Sequence, residues 1–139
     1  MPPIILICAT LLMSDGDSGR CVTDDGTRHR VRLAGIDAGE VAPFTRCRQQ
    51  PGIWACSPEA RASSLRATLR ARELAADGAM CAEVDIDRYG RSVAMCYVQQ
   101  GDLGGLLVSE GLAISDPAYD PPYTEEQDQA KRERRGIWQ

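Results

Sequence analysis

The stretch RVRLAGIDAGE, residues 30–40, joins the end of an apolar strand pattern to a group of charged side chains. The pattern over residues 28–36 is typical of a β-strand that seals a core. Arg32 lies within this strand, while Asp37 and Glu40 come directly after it. One interpretation is a strand edge followed by a polar turn. The other is that strand and turn together present the three charges to a bound molecule.

The length and net charge of the chain limit the number of domains and the classes of function to consider. A chain of 139 residues is long enough for one domain with a real core. The net charge of −4 and the pI near 5.0 argue against a passive nucleic-acid coat, but they allow a local basic cleft. Fifteen of the sixteen basic residues are arginine, which suits bidentate contacts with phosphate.

The six cysteines are widely spaced and form no CxxC motif, and His29 is the single histidine. This pattern does not favour a thiolate zinc site, and an even number of cysteines favours disulfides and an oxidising compartment. Local geometry favours the pairs Cys47–Cys56 and Cys81–Cys96, which leaves Cys8–Cys21. Buried free thiols in a cytosolic protein are the open alternative.

The N-terminal stretch MPPIILICATLLM is apolar, but it is too short to span a bilayer. It also lacks the basic start and the cleavage site of a signal peptide. We therefore predict a core strand over residues 4–13, with a remnant of a signal segment over residues 1–8 as the alternative. We expect a single domain over residues 1–139 that is periplasmic or secreted, with no membrane partner.

Periodicity predicts five strands, a helix after the third strand and two helices at the end. The long central helix should begin at the capping residue Ser57 and bury the face that carries Leu65 and Leu69. A hairpin with the turn RYG should follow, with Met80 and Val84 on its apolar side. Thr124 is predicted to open the last helix through a capping box. The predicted strands cover residues 4–13, 20–24, 28–36, 79–87 and 91–99, and residues 37–56 are predicted to be irregular.

Three clusters of residues are able to do chemistry together, although each alone is typical of a turn. Hard carboxylate oxygens select Ca²⁺ or Mg²⁺, and two guanidinium groups are able to clamp a phosphate. A spare carboxylate is able to accept a proton from an attacking water. A single histidine excludes RNA cleavage by two imidazoles. The clusters are Asp15 with Asp17, then Arg32 with Asp37 and Glu40, then Asp87 with Tyr89 and Arg91.

The order and spacing of several segments resemble the staphylococcal nuclease (thermonuclease-like) family. The resemblance covers residues 9–138, and its segments are SDGDS, RVRLAGIDAGE, DRYGRSVAMCYV, EGLA and GIW. It implies an α+β fold, namely an OB-fold five-stranded β-barrel with three α-helices. It also implies cleavage of DNA and RNA with Ca²⁺ that leaves 3′-phosphates. The cysteines are similar to those of the disulfide-bearing, exported bacterial branch of the family.

The resemblance also assigns roles to individual residues. It implies that the catalytic residues are Arg32, Glu40 and Arg91. It implies that substrate is bound by Arg88, Tyr89 and Tyr119. It implies that Ca²⁺ is held by Asp17, Asp37 and the Ala38 carbonyl, with Asp15 as an outer residue and Glu40 acting through a water.

Two departures from the family pattern bear on activity. The dipeptide before Glu40 is Ala38-Gly39, where the family has a proline in the second position. We expect Glu40 to be aimed less firmly as a result. Pro117 replaces one of two expected tyrosines, which should weaken substrate affinity.

These patterns predict a Ca²⁺-dependent nuclease without sugar specificity, which acts as a monomer on DNA and RNA and prefers single strands. The alternative is a catalytically weak or inactive module of the same fold that binds single-stranded nucleic acid. A disulfide-stapled domain that binds protein or carbohydrate is a third interpretation. It leaves the placement of the arginines and aspartates unexplained.

Overall fold

A computed structural model describes residues 4–116 and 122–139 as an α+β fold. The strands are β1 (Ile5–Cys8), β2 (Thr10–Met13), β3 (Ser18–Val22), β4 (Arg28–Leu33), β5 (Ile36–Asp37), β6 (Ala79–Ile86), β7 (Ser92–Val98), β8 (Gly101–Asp102) and β9 (Ile114–Ser115). The α-helices are α1 (Thr45–Gln49), α2 (Pro58–Leu74), α3 (Leu103–Ser109) and α4 (Thr124–Arg132). Two 3₁₀ helices cover Trp54–Cys56 and Gly136–Trp138.

The main sheet has the strand order β1-β6-β7-β4-β3-β2, with β8 beside β7. Its pairs are antiparallel except for β4 and β7, which run parallel. The first predicted strand is interrupted at Ala9, so β1 pairs with β6 while β2 pairs with β3. One apolar segment thus joins both ends of the sheet, as in an OB-type arrangement. The predicted α+β, OB-like class is confirmed, and the short helix α1 is an addition to the predicted elements.

Helix α2 begins where the sequence predicts, but it buries a different face. The Ser57 hydroxyl accepts a hydrogen bond from the Ala60 N–H and caps the helix. Leu65 and Leu69 are 62% and 51% exposed, so the predicted apolar face is wrong. The buried side is made of small residues that let the backbone of α2 approach the sheet closely. They are Ala60, Ser63, Ser64, Ala67, Thr68 and Ala71, followed by Leu74.

The β6–β7 hairpin also buries the side opposite to the predicted one. Met80, Val84 and Ile86 are exposed, and the buried side of the pair carries Cys81 and Cys96. A register shift between Glu83 and Asp85 interrupts the alternation. The disulfide-bonded cysteines thus lie on the core side, and the larger apolar side chains of β6 lie outside.

The six cysteines form the three pairs expected from their spacing, and no free thiol remains. Cys8–Cys21 joins β1 to β3, and Cys81–Cys96 joins directly opposed residues of β6 and β7. Cys47–Cys56 joins α1 to the first 3₁₀ helix. A bridge that closes a loop of about 15 residues contributes roughly 3 kcal/mol in the chain-entropy model.

The last helix is tied to a second, two-stranded sheet of β5 and β9 by a contact that replaces the predicted capping box. Its N-cap residue is Tyr123, and the Gln127 side-chain oxygen accepts a hydrogen bond from the Ser115 N–H. Helix α4 is thereby joined to β9. Within residues 4–116 and 122–139, none of the helices combines the length and the apolarity needed to cross a bilayer.

Candidate active site

A cleft of about 460 Å³ opens between the sheet and the segment that contains α1. Acidic, basic and aromatic side chains from five parts of the chain meet there. The lining residues are Asp15, Asp17 and Ser18; Arg30 and Arg32; Ala38 and Glu40; Thr45, Arg46, Gln49 and Gln50; and Arg88, Tyr89 and Arg91. Strand pairing brings the first two groups together, because Ser18 is opposite Arg32 in the β3–β4 register.

Asp17 is the buried centre of the cleft. Its Oδ2 accepts a hydrogen bond of 2.8 Å from the Ala38 N–H and lies 3.5 Å from Nη1 of Arg32. Burial opposes its ionisation, but the Arg32 charge and the hydrogen bonds from Asp15 and Ala38 outweigh burial and hold the pKa of Asp17 below its usual range. Asp17 is therefore an ionised carboxylate at neutral pH.

Asp37 lies beside this centre with one oxygen left without a hydrogen bond. Its Oδ1 is buried, and it is 3.5 Å from Nη2 of Arg32 and 3.6 Å from Nη1 of Arg46. Both contacts are too long to satisfy the oxygen as good hydrogen bonds would. Burial and the neighbouring charge of Asp17 raise the pKa of Asp37 to about 7. Such an oxygen is suited to a cation.

Asp15 completes the group of carboxylates. Its Oδ1 accepts hydrogen bonds from the Ser18 hydroxyl at 2.7 Å and from the Asp17 N–H at 3.2 Å. Burial and the charge of Asp17 raise the pKa of Asp15 to about 7. The charge of Asp17 thus acts on both Asp15 and Asp37, and each of these two carboxyl groups has a pKa raised to about 7.

Arg32 lies between the carboxylates and is only 13% exposed in its side chain. Its Nη1 donates to the Leu33 carbonyl at 3.0 Å. Burial opposes the charge, but Asp17 and Asp37 outweigh it and raise the pKa of Arg32. The guanidinium is therefore a fixed positive charge beside the acidic group.

Glu40 is held by the backbone rather than by another side chain. Its Oε1 and Oε2 accept hydrogen bonds from the N–H groups of Arg46 at 2.7 Å and Cys47 at 2.9 Å. Gly39 packs so tightly that a Cβ there would lie 1.9 Å from the Ala60 carbonyl oxygen. A proline would clash with α2 in this structure. Packing at Gly39 and two hydrogen bonds thus hold Glu40 in this structure, at a place where the family pattern has a proline.

The turn between β6 and β7 forms the opposite wall. Asp87 accepts hydrogen bonds from Nε of Arg91 at 2.7 Å and from its backbone N–H at 2.9 Å. Burial opposes ionisation, but these bonds lower the pKa of Asp87. Tyr89 is 52% exposed, its hydroxyl accepts a hydrogen bond from Arg88, and its carbonyl accepts one from Arg30. The guanidinium groups of Arg88 and Arg91 lie 4.9 and 5.6 Å from the centre of this exposed ring.

Comparison with known proteins agrees with this geometry. The family described as "Staphylococcal nuclease homologue" matches residues 30–139, which is most of the chain. The chain belongs to this family. It is also 28% identical over 133 residues to a protein of Haemophilus influenzae described as an uncharacterized endonuclease. That match covers 94% of this chain and 65% of the relative, so the chain spans just under two thirds of the relative's length.

As a staphylococcal nuclease homologue, the chain places most of the predicted site residues around one cleft. Asp37 does not line the cleft itself, but it contacts Arg32 and Arg46, and both of these arginines line the cleft. Asp15 and Asp17 precede the family match and reach the cleft through the turn before β3. Tyr119 and Pro117 lie outside the described residues.

Two further arginines line the cleft without having been predicted. Arg30 is two residues before Arg32 in β4, so strand alternation alone places both on one side of the sheet. Arg46 had no such signal, because it lies in the stretch that was predicted to be irregular. Only the helix α1 brings its guanidinium to Asp37.

Proposed function

We propose that this protein is a Ca²⁺-dependent, sugar-nonspecific nuclease that hydrolyses phosphodiester bonds of DNA and RNA and leaves 3′-phosphates. The observation that carries the proposal is a cleft lined by Asp15, Asp17 and arginines, beside which the buried Oδ1 of Asp37 lacks a hydrogen bond. Carboxylates would bind a cation, and the neighbouring arginines would bind a phosphate.

We propose that the acidic residues of this site hold a calcium ion. The ligands would be the carboxylates of Asp17 and Asp37 and the Ala38 carbonyl, with Asp15 in an outer position and Glu40 acting through a water. The buried Oδ1 of Asp37, which lacks a hydrogen bond, and the raised pKa values of Asp15 and Asp37 support this assignment. Ca²⁺ would supply positive charge that neutralises these carboxylates and stabilises charge on the phosphate oxygens.

The catalytic residues would divide the remaining work. Each oxygen of Glu40 accepts one backbone hydrogen bond and keeps a further lone pair, so the carboxylate is able to take a proton from the attacking water. Arg32 and Arg91 would donate hydrogen bonds to the phosphate as its charge increases. Both guanidinium groups stay charged at neutral pH, so their role is charge stabilisation.

The wall formed by Arg88 and Tyr89 would bind the nucleotide. An exposed tyrosine ring beside guanidinium groups is a surface on which an unpaired base stacks and its phosphate pairs. This supports a preference for single-stranded or denatured DNA and RNA. Tyr119 is proposed as a further substrate contact.

The disulfides support an oxidising, extracytoplasmic location, either periplasmic or secreted. We expect the protein to act as a monomer.

The test is a cleavage assay on denatured DNA and on RNA, with Ca²⁺ and with chelator. Wild type should release acid-soluble fragments that carry 3′-phosphates only with Ca²⁺, and Glu40→Gln should lower kcat by about 10²-fold or more. Absence of cleavage with Ca²⁺ would reject the proposal. Binding of single strands that is equal in wild type and Glu40→Gln, without turnover, would instead establish the alternative of a binding module.

A further inference from the structure

Glu40 is fixed by hydrogen bonds to two separate segments. Its backbone N–H donates to the Ala55 carbonyl at 3.2 Å, in the first 3₁₀ helix. Its carboxylate accepts the N–H groups of Arg46 and Cys47, in the first turn of α1. The position of the carboxylate thus depends on the distance between the 3₁₀ helix and α1.

One covalent bond sets that distance. Cys47 donates directly to Glu40, and its disulfide partner Cys56 is the residue after Ala55. The two sulfur atoms and a Glu40 carboxylate oxygen all lie within 4.8 Å of one another. Because both sulfurs are used in the disulfide, this group offers no thiolate to a metal. It is a clamp around the glutamate.

Besides the disulfide, α1 is held by its hydrogen bonds to Glu40 and by the ion pair between Arg46 and Asp37. The helix has five residues, all of them described, and among these only Cys47 is buried. A helix this short is not stable on its own in water. The other two disulfides join strands that are already paired or packed in the main sheet.

We propose that Cys47 and Cys56 are a positioning pair, whose disulfide holds α1 against the 3₁₀ helix so that the Arg46 and Cys47 N–H groups keep the Glu40 carboxylate in its working position. This rests on the proposed function, in which Glu40 accepts a proton from water. Displacing a catalytic group by about 1 Å is enough to lower a rate by about 10²-fold.

The test compares Cys47→Ala/Cys56→Ala with the matched control Cys81→Ala/Cys96→Ala. Both double variants are assayed below their melting transitions, with circular dichroism as the check of folding. Loss of the clamp should lower kcat by about tenfold or more and leave KM within about threefold. The control should lower the Tm and leave kcat unchanged. Equal losses of kcat in both double variants would overturn the proposal.

A second comparison separates positioning from general stability. In the Glu40→Gln background, removal of Cys47–Cys56 should lower the residual rate by less than about twofold, because the group that it positions is already disabled. A tenfold loss in both backgrounds would overturn the proposal. An inactive wild type would reject the proposed function, whereas an active wild type whose Cys47→Ala/Cys56→Ala variant is equally active would reject only the positioning pair.

Selective reduction of wild type keeps the proposal testable if the double variant does not fold. Cys56 is half-buried, whereas the other five cysteines are buried, so a mild reductant should open Cys47–Cys56 first. After alkylation, mass spectrometry gives the modified fraction. Activity should fall in proportion to alkylation at Cys47 and Cys56. Full activity after complete modification of this pair would overturn the proposal.

Discussion

The two sides of the cleft are built in different ways. On the sheet side, Asp17 and Arg32 come from the neighbouring strands β3 and β4 and their approaches, and the backbone fixes them through the bond from the Leu33 N–H to the Asp17 carbonyl at 2.8 Å. On the loop side, Glu40 and Arg46 lie in a stretch that joins no strand of the main sheet. Packing at Gly39, backbone hydrogen bonds and a disulfide hold that side instead.

The difference separates two ways of placing a reactive side chain. The position of a side chain on a strand is fixed by the register of the sheet, which many backbone hydrogen bonds maintain together. A side chain in a loop is held by a few separate contacts. The loss of any one of these contacts is therefore expected to displace it. Substitutions on the sheet side should therefore affect charge and chemistry, whereas those on the loop side should affect geometry.

The largest effect is expected from Arg32→Lys, which tests the sheet side. Lysine keeps the charge but loses the planar fork that spans Asp17 and Asp37. We expect kcat to fall by about 10²- to 10³-fold in a Ca²⁺-dependent assay on denatured DNA. Arg28→Lys, at an exposed position of the same strand, is the control and should retain full activity. A kcat within threefold of wild type for Arg32→Lys would contradict the assignment.

Gly39→Ala tests the loop side. The added Cβ would meet the Ala60 carbonyl oxygen at 1.9 Å, so the segment has to move away from α2. We expect a loss of about 2–3 kcal/mol in the free energy of unfolding and a lower kcat, measured by urea denaturation and by the cleavage assay. The control is Gly26→Ala, where φ is +84° and no atom lies within 4 Å. It should cost only about 1 kcal/mol and leave kcat unchanged.

Asp37→Asn tests the acidic group where the two sides meet. The pKa of Asp37 is raised to about 7 in the folded protein from an ordinary 3.8, so the folded state resists ionisation. Without metal, wild type therefore loses stability through this group as pH rises from about 4 to about 7. Asp37→Asn should match wild type near pH 4 and be more stable by about 1–2 kcal/mol at pH 7, in denaturation with chelator present. Ca²⁺ should stabilise wild type more than the variant, and a variant that is less stable at pH 7 would refute this account.

The smallest effect is expected on the outer face of α2. Leu65→Gln should change the free energy of unfolding by less than about 0.5 kcal/mol, because the side chain is 62% exposed. Ala67→Leu, on the side that packs against Gly16, should cost about 1–3 kcal/mol. Thermal denaturation of both variants checks this, and the reverse ranking would show that α2 packs through its leucines.

The sheet side was predictable from local patterns. Alternation, turn residues and cysteine spacing locate the strands around Asp17 and Arg32, the hairpin that carries Arg91, and the disulfide pairs. These signals are local because strands and tight turns have short periods that the sequence records directly. The clustering of Asp17, Arg32 and Glu40 follows from the family resemblance and from the way these strands pair.

The loop side and two packing faces were not predictable. Helix α1 has neither the length nor the periodicity that indicates a helix, so Arg46 gave no sign of its place. The buried face of α2 is made of small residues because close packing against Gly16 and Gly39 excludes larger ones, and hydrophobicity alone pointed to Leu65 instead. The predicted apolar side of the β6–β7 hairpin was wrong for the same reason, since Cys81 rather than Met80 faces the core.

The most direct test of the central claim is the single-turnover cleavage rate of denatured DNA as a function of Ca²⁺ concentration. The two sides of the cleft should act together only when the carboxylates of Asp17 and Asp37 hold the cation. We predict a rate that rises to saturation with Ca²⁺, falls to background with chelator and returns when Ca²⁺ is restored. A rate that does not depend on Ca²⁺, or no cleavage at any concentration, would contradict the claim.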